Sequence, residues 1–531
     1  MYREDHLMFK QFQCDYDGPI VNTKAGSLRG FKWGSTYNFL GITYGTAERF
    51  MPPVPVAPWT GVKDAIIYGD ASLTAETGKL TNHPDYEALL GQNNYLYKSE
   101  DCLNLNVWTP SIDPEAMKPV MVFIAGGGFH SGGANESICT NGTSLSEFGD
   151  VVVVSINHRL SLLGFFDLAP FGDRYKNSAN RGLEDMVLAL QWIQENIRAF
   201  GGNPDSVTLF GHSGGGCKQW ALMQTPAADG LFHKCIMLSG AAANMVFPRR
   251  EHNGYEIVHG TLKNLGLEDS DVEKLERIPY PEFLAAYLRQ YQEMNRKYRE
   301  DGIYRYVGKT ILANDYFKGD PFVYGMRPES RNIPTIIGSS LAEQESLRHD
   351  VWPHKNRLTA EERRSVLLEK FGVHTDDLIR LWKQSFPDHN ELDLINYETV
   401  FRSRVMEWCI EREKLGAISY LFLFALESPL HGGLPAHHGV EIAYSFHNAE
   451  LMPGAGNPGT ADVVQDQLCG AWVSFARTGN PNHDRLPHWE PYTASHPETL
   501  IFDQTTRTGI NFDRELVDLH NACVPWRQFP I

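Results

Sequence analysis

In the run LFGHSGGGCK, residues 209–218, one serine, Ser213, stands between His212 and three glycines. A serine hydroxyl is a poor nucleophile at neutral pH, so chemistry at Ser213 requires a base within hydrogen-bond reach and an acid that orients the base. Two later segments offer these groups. TIIGSSLAEQESL (335–347) carries Glu343 and Glu345, and LPAHHGVEIAYSF (434–446) carries the adjacent histidines His437 and His438. Nothing in the residue pattern chooses within either pair. A fourth segment, FIAGGGFHSGG (123–133), presents successive amide N–H groups without side chains in the way. Such amides can hold the oxyanion of a tetrahedral acyl-transfer intermediate, worth about 3 to 4 kcal/mol per donor.

Simpler readings compete with each piece. With 47 glycines in 531 residues, a Gly-x-Ser-x-Gly pattern arises by chance on the order of a few tenths of a time per chain. The glycine run could cradle phosphate, but no GxxxxGK[ST] or GxGxxG pattern accompanies it. Adjacent histidines do not converge on one metal ion without further ligands, and no HExxH motif is present. The spacing therefore points to no metal and no bound cofactor.

The surrounding elements decide in favour of the nucleophile. Continuous apolar runs at 120–125, 151–157, 206–211, 234–240, 335–340 and 419–426 read as parallel strands covered on both faces. Helical patterns lie between them, the clearest at 183–197, where Met186, Leu190, Ile193 and Ile197 recur at helical spacing. Ser213 follows the strand SVTLFG and precedes GGCKQWALM, which can continue as a helix. Gly211 and Gly215 suit a strand–turn–helix corner too tight for a Cβ. The expected fold class is α/β, a central, mostly parallel sheet flanked by helices. Charged, largely helical stretches near 250–330 and 355–415 interrupt the alternation as insertions over the active site, with Thr359 as an N-cap. No linker or repeat divides the chain, so residues 1–531 are expected to form a single domain.

Composition narrows the partners. A net charge of −17 argues against nucleic acid and anionic membrane surfaces. The longest apolar runs, such as YLFLFAL at 420–426, are too short to span a bilayer, and the N-terminal stretch lacks the apolar core of a signal peptide. The eight cysteines are widely spaced with no CxxC pair, which favours reduced thiols and a cytoplasmic location. Asn135 and Asn141 head glycosylation-type triplets that chance would supply in a chain this long.

Together these segments resemble the carboxylesterase type B family, which includes bacterial p-nitrobenzyl esterases, animal carboxylesterases and cholinesterases. Beside the four segments above, the resemblance rests on FLGITYGTAERFMPP (39–53), SEDCLNLNVWTP (99–110), NHRLSLLGFF (157–166), GLEDMVLALQWIQENIRAFGGNP (182–204) and FARTGNPN (475–482), with HHGVEI (437–442) within the histidine segment. It covers nearly the whole chain and implies an α/β-hydrolase fold and a serine carboxylesterase acting on small neutral esters. Five residues after the strand-closing Gly338, the resemblance places the acid at Glu343. The histidine directly before Gly439-Val440-Glu441-Ile442 becomes the base, His438. Gly127, Gly128 and Gly214 become the oxyanion donors, with Phe129 and His212 at the substrate pocket.

Departures from the family pattern carry expectations of their own. His212 stands where the family usually has glutamate, and no tryptophan occurs from Gly61 to Asp101, which together argue against cationic choline esters. Cys102 sits where eukaryotic members place half of a disulfide, and the only upstream cysteine is the distant Cys14. Ala125 replaces a histidine that often precedes the glycine run, which implies a less braced loop. A relative that kept the fold as an adhesion protein, a lipase and an amidase are the alternatives to an esterase.

Overall fold

The computed structural model describes residues 10–74, 88, 91–94, 96–240, 254–300, 311–343, 355–397 and 399–524. Its main sheet contains strands β1 (Phe12–Gln13), β2 (Phe31–Trp33), β3 (Thr36–Thr43), β4 (Asn104–Thr109), β5 (Lys118–Ile124), β6 (Val152–Ile156), β7 (Gly202–His212), β8 (Lys234–Leu238), β9 (Thr335–Ser340), β10 (Ser419–Phe424), β11 (Glu498–Phe502) and β12 (Arg507–Ile510). The spatial order is β1-β2-β3-β4-β6-β5-β7-β8-β9-β10-β11-β12. From β6 to β11 every neighbouring pair is parallel, and the strands at both edges pair antiparallel. All residues of β6, β9 and β10 are buried. This explains their unbroken apolar runs, because side chains on both faces lie under other elements.

Eight longer helices matter for the site: α1 (Arg181–Asn196), α2 (Gly214–Met223), α3 (Gly254–Asn264), α4 (Tyr280–Glu300), α5 (Ala360–Phe371), α6 (Thr375–Ser385), α7 (Thr399–Lys414) and α8 (Thr460–Thr478). Along α1, Leu183, Met186, Leu190 and Ile193 have no exposed surface. Burying each contributes about 1.5–3 kcal/mol, so this face fixes the helix against the sheet. The insertion between β8 and β9 supplies α3 and α4. Their Ile257, Leu262, Phe283 and Tyr287 form an apolar cluster with Phe50 and Phe166, separate from the main core. The insertion between β9 and β10 supplies α5, α6 and α7, whose Leu367, Trp382 and Trp408 join the main core. Thr359 caps α5 as expected: its hydroxyl accepts from the Glu362 N–H at 3.3 Å, and the Glu362 carboxylate accepts from the Thr359 N–H at 2.7 Å.

One buried ion pair ties α1 to the chain beneath it. Arg159 donates to Asp185 at 2.9 and 2.7 Å and to the carbonyls of Glu48 and Met51 at 3.2 and 2.7 Å. Those bonds offset the desolvation of the pair. All eight cysteines are unpaired, and burial pushes the Cys102 thiol up to about 12, so Cys102 stays protonated at neutral pH. Among the described residues no helix is long and apolar enough to cross a membrane.

Candidate active site

Ser213 occupies the corner between β7 and α2 with φ 56° and ψ −122°. A non-glycine residue with positive φ costs of order 1–3 kcal/mol, so the surroundings must impose it. They do so through close packing. A Cβ on Gly215 would lie 2.0 Å from the Ile124 carbonyl oxygen, and one on Gly211 2.4 Å from the same atom. The Ser213 N–H donates to the Leu238 carbonyl at 2.7 Å, and the Ser213 carbonyl accepts from Cys217 N–H at 3.0 Å. The corner is therefore tied to the next strand on one side and to its own helix on the other.

Glu343 follows β9 by three residues, is 1% exposed, and has both carboxylate oxygens engaged. Oε1 accepts from the Ser239 hydroxyl and from the Ser340 N–H, each at 2.7 Å, while Oε2 lies 2.5 Å from His438 Nδ1. The Ala342 N–H donates to the Ala436 carbonyl at 2.8 Å, so the turn that carries the acid is stitched to the loop that carries the histidine. The His438 ring lies 4.2 Å, centroid to centroid, from the His212 ring and 5.7 Å from that of Phe401. That contact places His438 against the residue next to Ser213.

The glycine run packs on the same corner. Gly127 and Gly128 have φ of +78° and +63°. A Cβ on Gly214 would meet the Gly128 N, Cα and O atoms at 2.3–2.4 Å, so only glycine lets the two backbones touch. Phe129 is fully buried, its ring 4.9 Å from Phe165 in an edge-to-face contact, and it anchors the run in the core. His212 is buried, and burial, with His438 and His437 close by, holds its pKa well below the ordinary value. It is a neutral imidazole, whose Nε2 lies 3.9 Å from Glu441 Oε1.

Four polar residues of this centre were not singled out in the sequence as functional. Glu441 is fully buried; it accepts from Ser340 Oγ at 3.1 Å and lies 3.2 Å from Ser239 Oγ. Burial, reinforced by the charge of Glu343, pushes its carboxyl up to about 7. Ser239, at φ 50°, has one hydroxyl proton and two carboxylates within reach. A protonated Glu441 resolves the shortage, donating to Ser239 while Ser239 donates to Glu343. The fourth is Lys218, fully buried, whose ammonium donates to the carbonyls of Ala125 at 2.9 Å and Gly126 at 3.5 Å. The glycine run, expected to be poorly braced at Ala125, is thus gripped from below. A lysine in the apolar continuation of a glycine-rich turn was a signal of this arrangement. Of the two acid candidates, Glu343 meets His438, and Glu345 lies outside the described residues. His437 is fully buried beside the Ala342 bridge, whereas His438 is partly exposed.

The parallel sheet with its flanking helices and the strand–turn–helix corner define an α/β-hydrolase fold. The carboxylesterase family matches residues 17–519, and the chain belongs to that family; it is a carboxylic ester hydrolase. It is 29% identical over 491 residues to the para-nitrobenzyl esterase of Bacillus subtilis, covering 91% of this chain and 94% of that protein. Mouse carboxylesterase 1D is 31% identical over 528 residues, 89% of this chain and 88% of that one. Among solved structures, an esterase from Clostridium hathewayi described as able to hydrolyse aliphatic aromatic polyesters superposes with a TM-score of 0.90 at 38% identity, covering 97% of this chain and all of that one.

Proposed function

We propose that the chain hydrolyses small to medium, neutral carboxylic esters through an acyl-enzyme on Ser213. His438 takes the Ser213 proton as the hydroxyl attacks the ester carbonyl, and the tetrahedral oxyanion is held by the N–H groups of Gly127, Gly128 and Gly214. Glu343 fixes the imidazole through Nδ1, so that Nε2 is the basic nitrogen, and stabilises the imidazolium that forms. His438 then protonates the departing alcohol, and water, activated by the same imidazole, frees the acid. The observation that carries this reading is the Glu343–His438 hydrogen bond, with the ring set against His212 beside the strained Ser213 corner. Single-domain organisation under helical insertions fits the reading, since α7 contributes Phe401 to the histidine's surroundings.

A fluorophosphonate probe is expected to label the native protein at one site, with labelling and hydrolysis both lost in Ser213→Ala. Absence of labelling in the native protein would contradict the reading. The neutral His212 imidazole beside Ser213 offers no negative charge to attract a cation, which favours uncharged substrates. Across p-nitrophenyl esters of increasing chain length, short to medium chains are expected to react fastest; a steep rise on long emulsified esters would indicate a lipase. The polyester activity described for the Clostridium hathewayi esterase makes an aliphatic–aromatic diester a further uncharged substrate for the same series.

A further inference from the structure

Lys218 carries an amine into a fully buried place, an expensive arrangement that its position must justify. Burial pulls its ammonium down to about 7, a measure of that cost. Its partners are two peptide carbonyls, those of Ala125 and Gly126. A trans peptide is planar, with its carbonyl and N–H on opposite sides. The carbonyls that face Lys218 belong to the peptides whose nitrogens are Gly126 and Gly127. The Gly127 N–H, one of the three donors proposed above, therefore points away from the lysine, on the side opposite its grip.

We propose that Lys218 is a positioning residue for the oxyanion hole, holding the Ala125–Gly126 peptide at 2.9 Å and the Gly126–Gly127 peptide at 3.5 Å and so fixing the direction of the Gly127 N–H. The inference rests on the acyl-enzyme reading above. Glycine-rich backbone at positive φ can rotate its peptide planes at little cost, and an amine bonded to two successive carbonyls removes that freedom. The lysine stands on α2, the helix whose first residue is Gly214. One helix thus carries the Gly214 donor and the clamp on the Gly127 donor, so the two are held in a fixed relation.

The test uses Lys218→Met, which keeps the length of the side chain and removes its donors, and Lys218→Gln, which keeps a neutral donor. Active sites are counted with a fluorophosphonate, so that turnover is expressed per competent molecule. Lys218→Met is expected to lower kcat about tenfold or more on p-nitrophenyl butyrate, with KM within about threefold, as loss of a transition-state interaction requires. Affinity for an alkyl trifluoromethyl ketone, which forms a tetrahedral oxyanion on the serine, should fall in proportion to kcat/KM. Affinity for the matching methyl ketone should hold, and Lys218→Gln should recover part of the loss. Unchanged turnover per titrated site in Lys218→Met would overturn the inference, as would equal loss of affinity for both ketones. An inactive Ser213→Ala beside a normal Lys218→Met would sink the lysine proposal alone. Hydrolysis surviving in Ser213→Ala would sink the acyl-enzyme reading and the lysine proposal with it.

Discussion

Ser239 shows how much of the centre depends on a single proton. Its hydroxyl lies between Glu343 and Glu441, and its donation to Glu343 leaves the carboxylate aligned on His438. Ser239→Ala is expected to lower kcat about tenfold, with KM within about twofold, measured on p-nitrophenyl butyrate. Glu343→Gln should be more severe, about 10³- to 10⁴-fold in kcat, because an amide can hold the imidazole in the wrong tautomer. Glu441 has a thermodynamic signature of its own. Its carboxyl is pushed from the ordinary 4.5 up to about 7, so the folded protein keeps a proton that the unfolded chain has released. Stability contributed by this group therefore falls as pH rises from about 4.5 to about 7. Glu441→Gln should flatten that slope and gain on the order of 3 kcal/mol above pH 7, read by urea unfolding at pH 5 and pH 8.

The elements differ in how openly the sequence declares them. The six parallel strands from β5 to β10 were legible as apolar runs because both their faces are buried, and α1 was legible because its apolar residues recur at helical spacing. The antiparallel side was hidden. In β4, Asn104 and Asn106 are buried polar residues that break the apolar run, and each is satisfied by side-chain bonding: Asn106 accepts from the Gly41 N–H at 2.9 Å and donates to Ser155 Oγ at 3.0 Å. The site divides in the same way. Ser213 and the glycines announce themselves through sterics, and the acid and histidine were narrowed through family resemblance. Ser239 and Glu441 matter only because strands distant in sequence end side by side. Thr359→Ala, which removes one half of the α5 capping box, should cost about 1 kcal/mol of stability and leave kcat unchanged. Gly215→Ala should abolish accumulation of folded, active protein, because the added methyl lies 2.0 Å from a backbone oxygen that cannot yield.

Across the whole molecule, hydrogen bonding continues beyond the ends of the strands. The residue after β7 donates to β8 (Ser213 N–H to Leu238, 2.7 Å) and the residue after β8 to β9 (Ser239 N–H to Gly338, 2.8 Å). Those after β9 and β10 donate onward to β10 and β11 (Leu341 N–H to Phe424, 2.9 Å; Ala425 N–H to Phe502, 2.8 Å). These four amides are expected to exchange with solvent deuterium only through global unfolding, among the slowest in the protein, whereas exchange by local opening would place them in a faster class. Removing one half of the Arg159–Asp185 pair by Asp185→Leu should cost about 3–5 kcal/mol by leaving a buried guanidinium without its counter-ion.

That ladder has an evolutionary consequence. The groups proposed to move protons and hold the oxyanion stand on backbone that the sheet fixes, while helices α3 and α4 come from an insertion packed in an apolar cluster of its own. Drift in that insertion can proceed without disturbing the alignment of serine, acid and histidine. A lineage built this way can vary its outer helices while its chemistry stays the same.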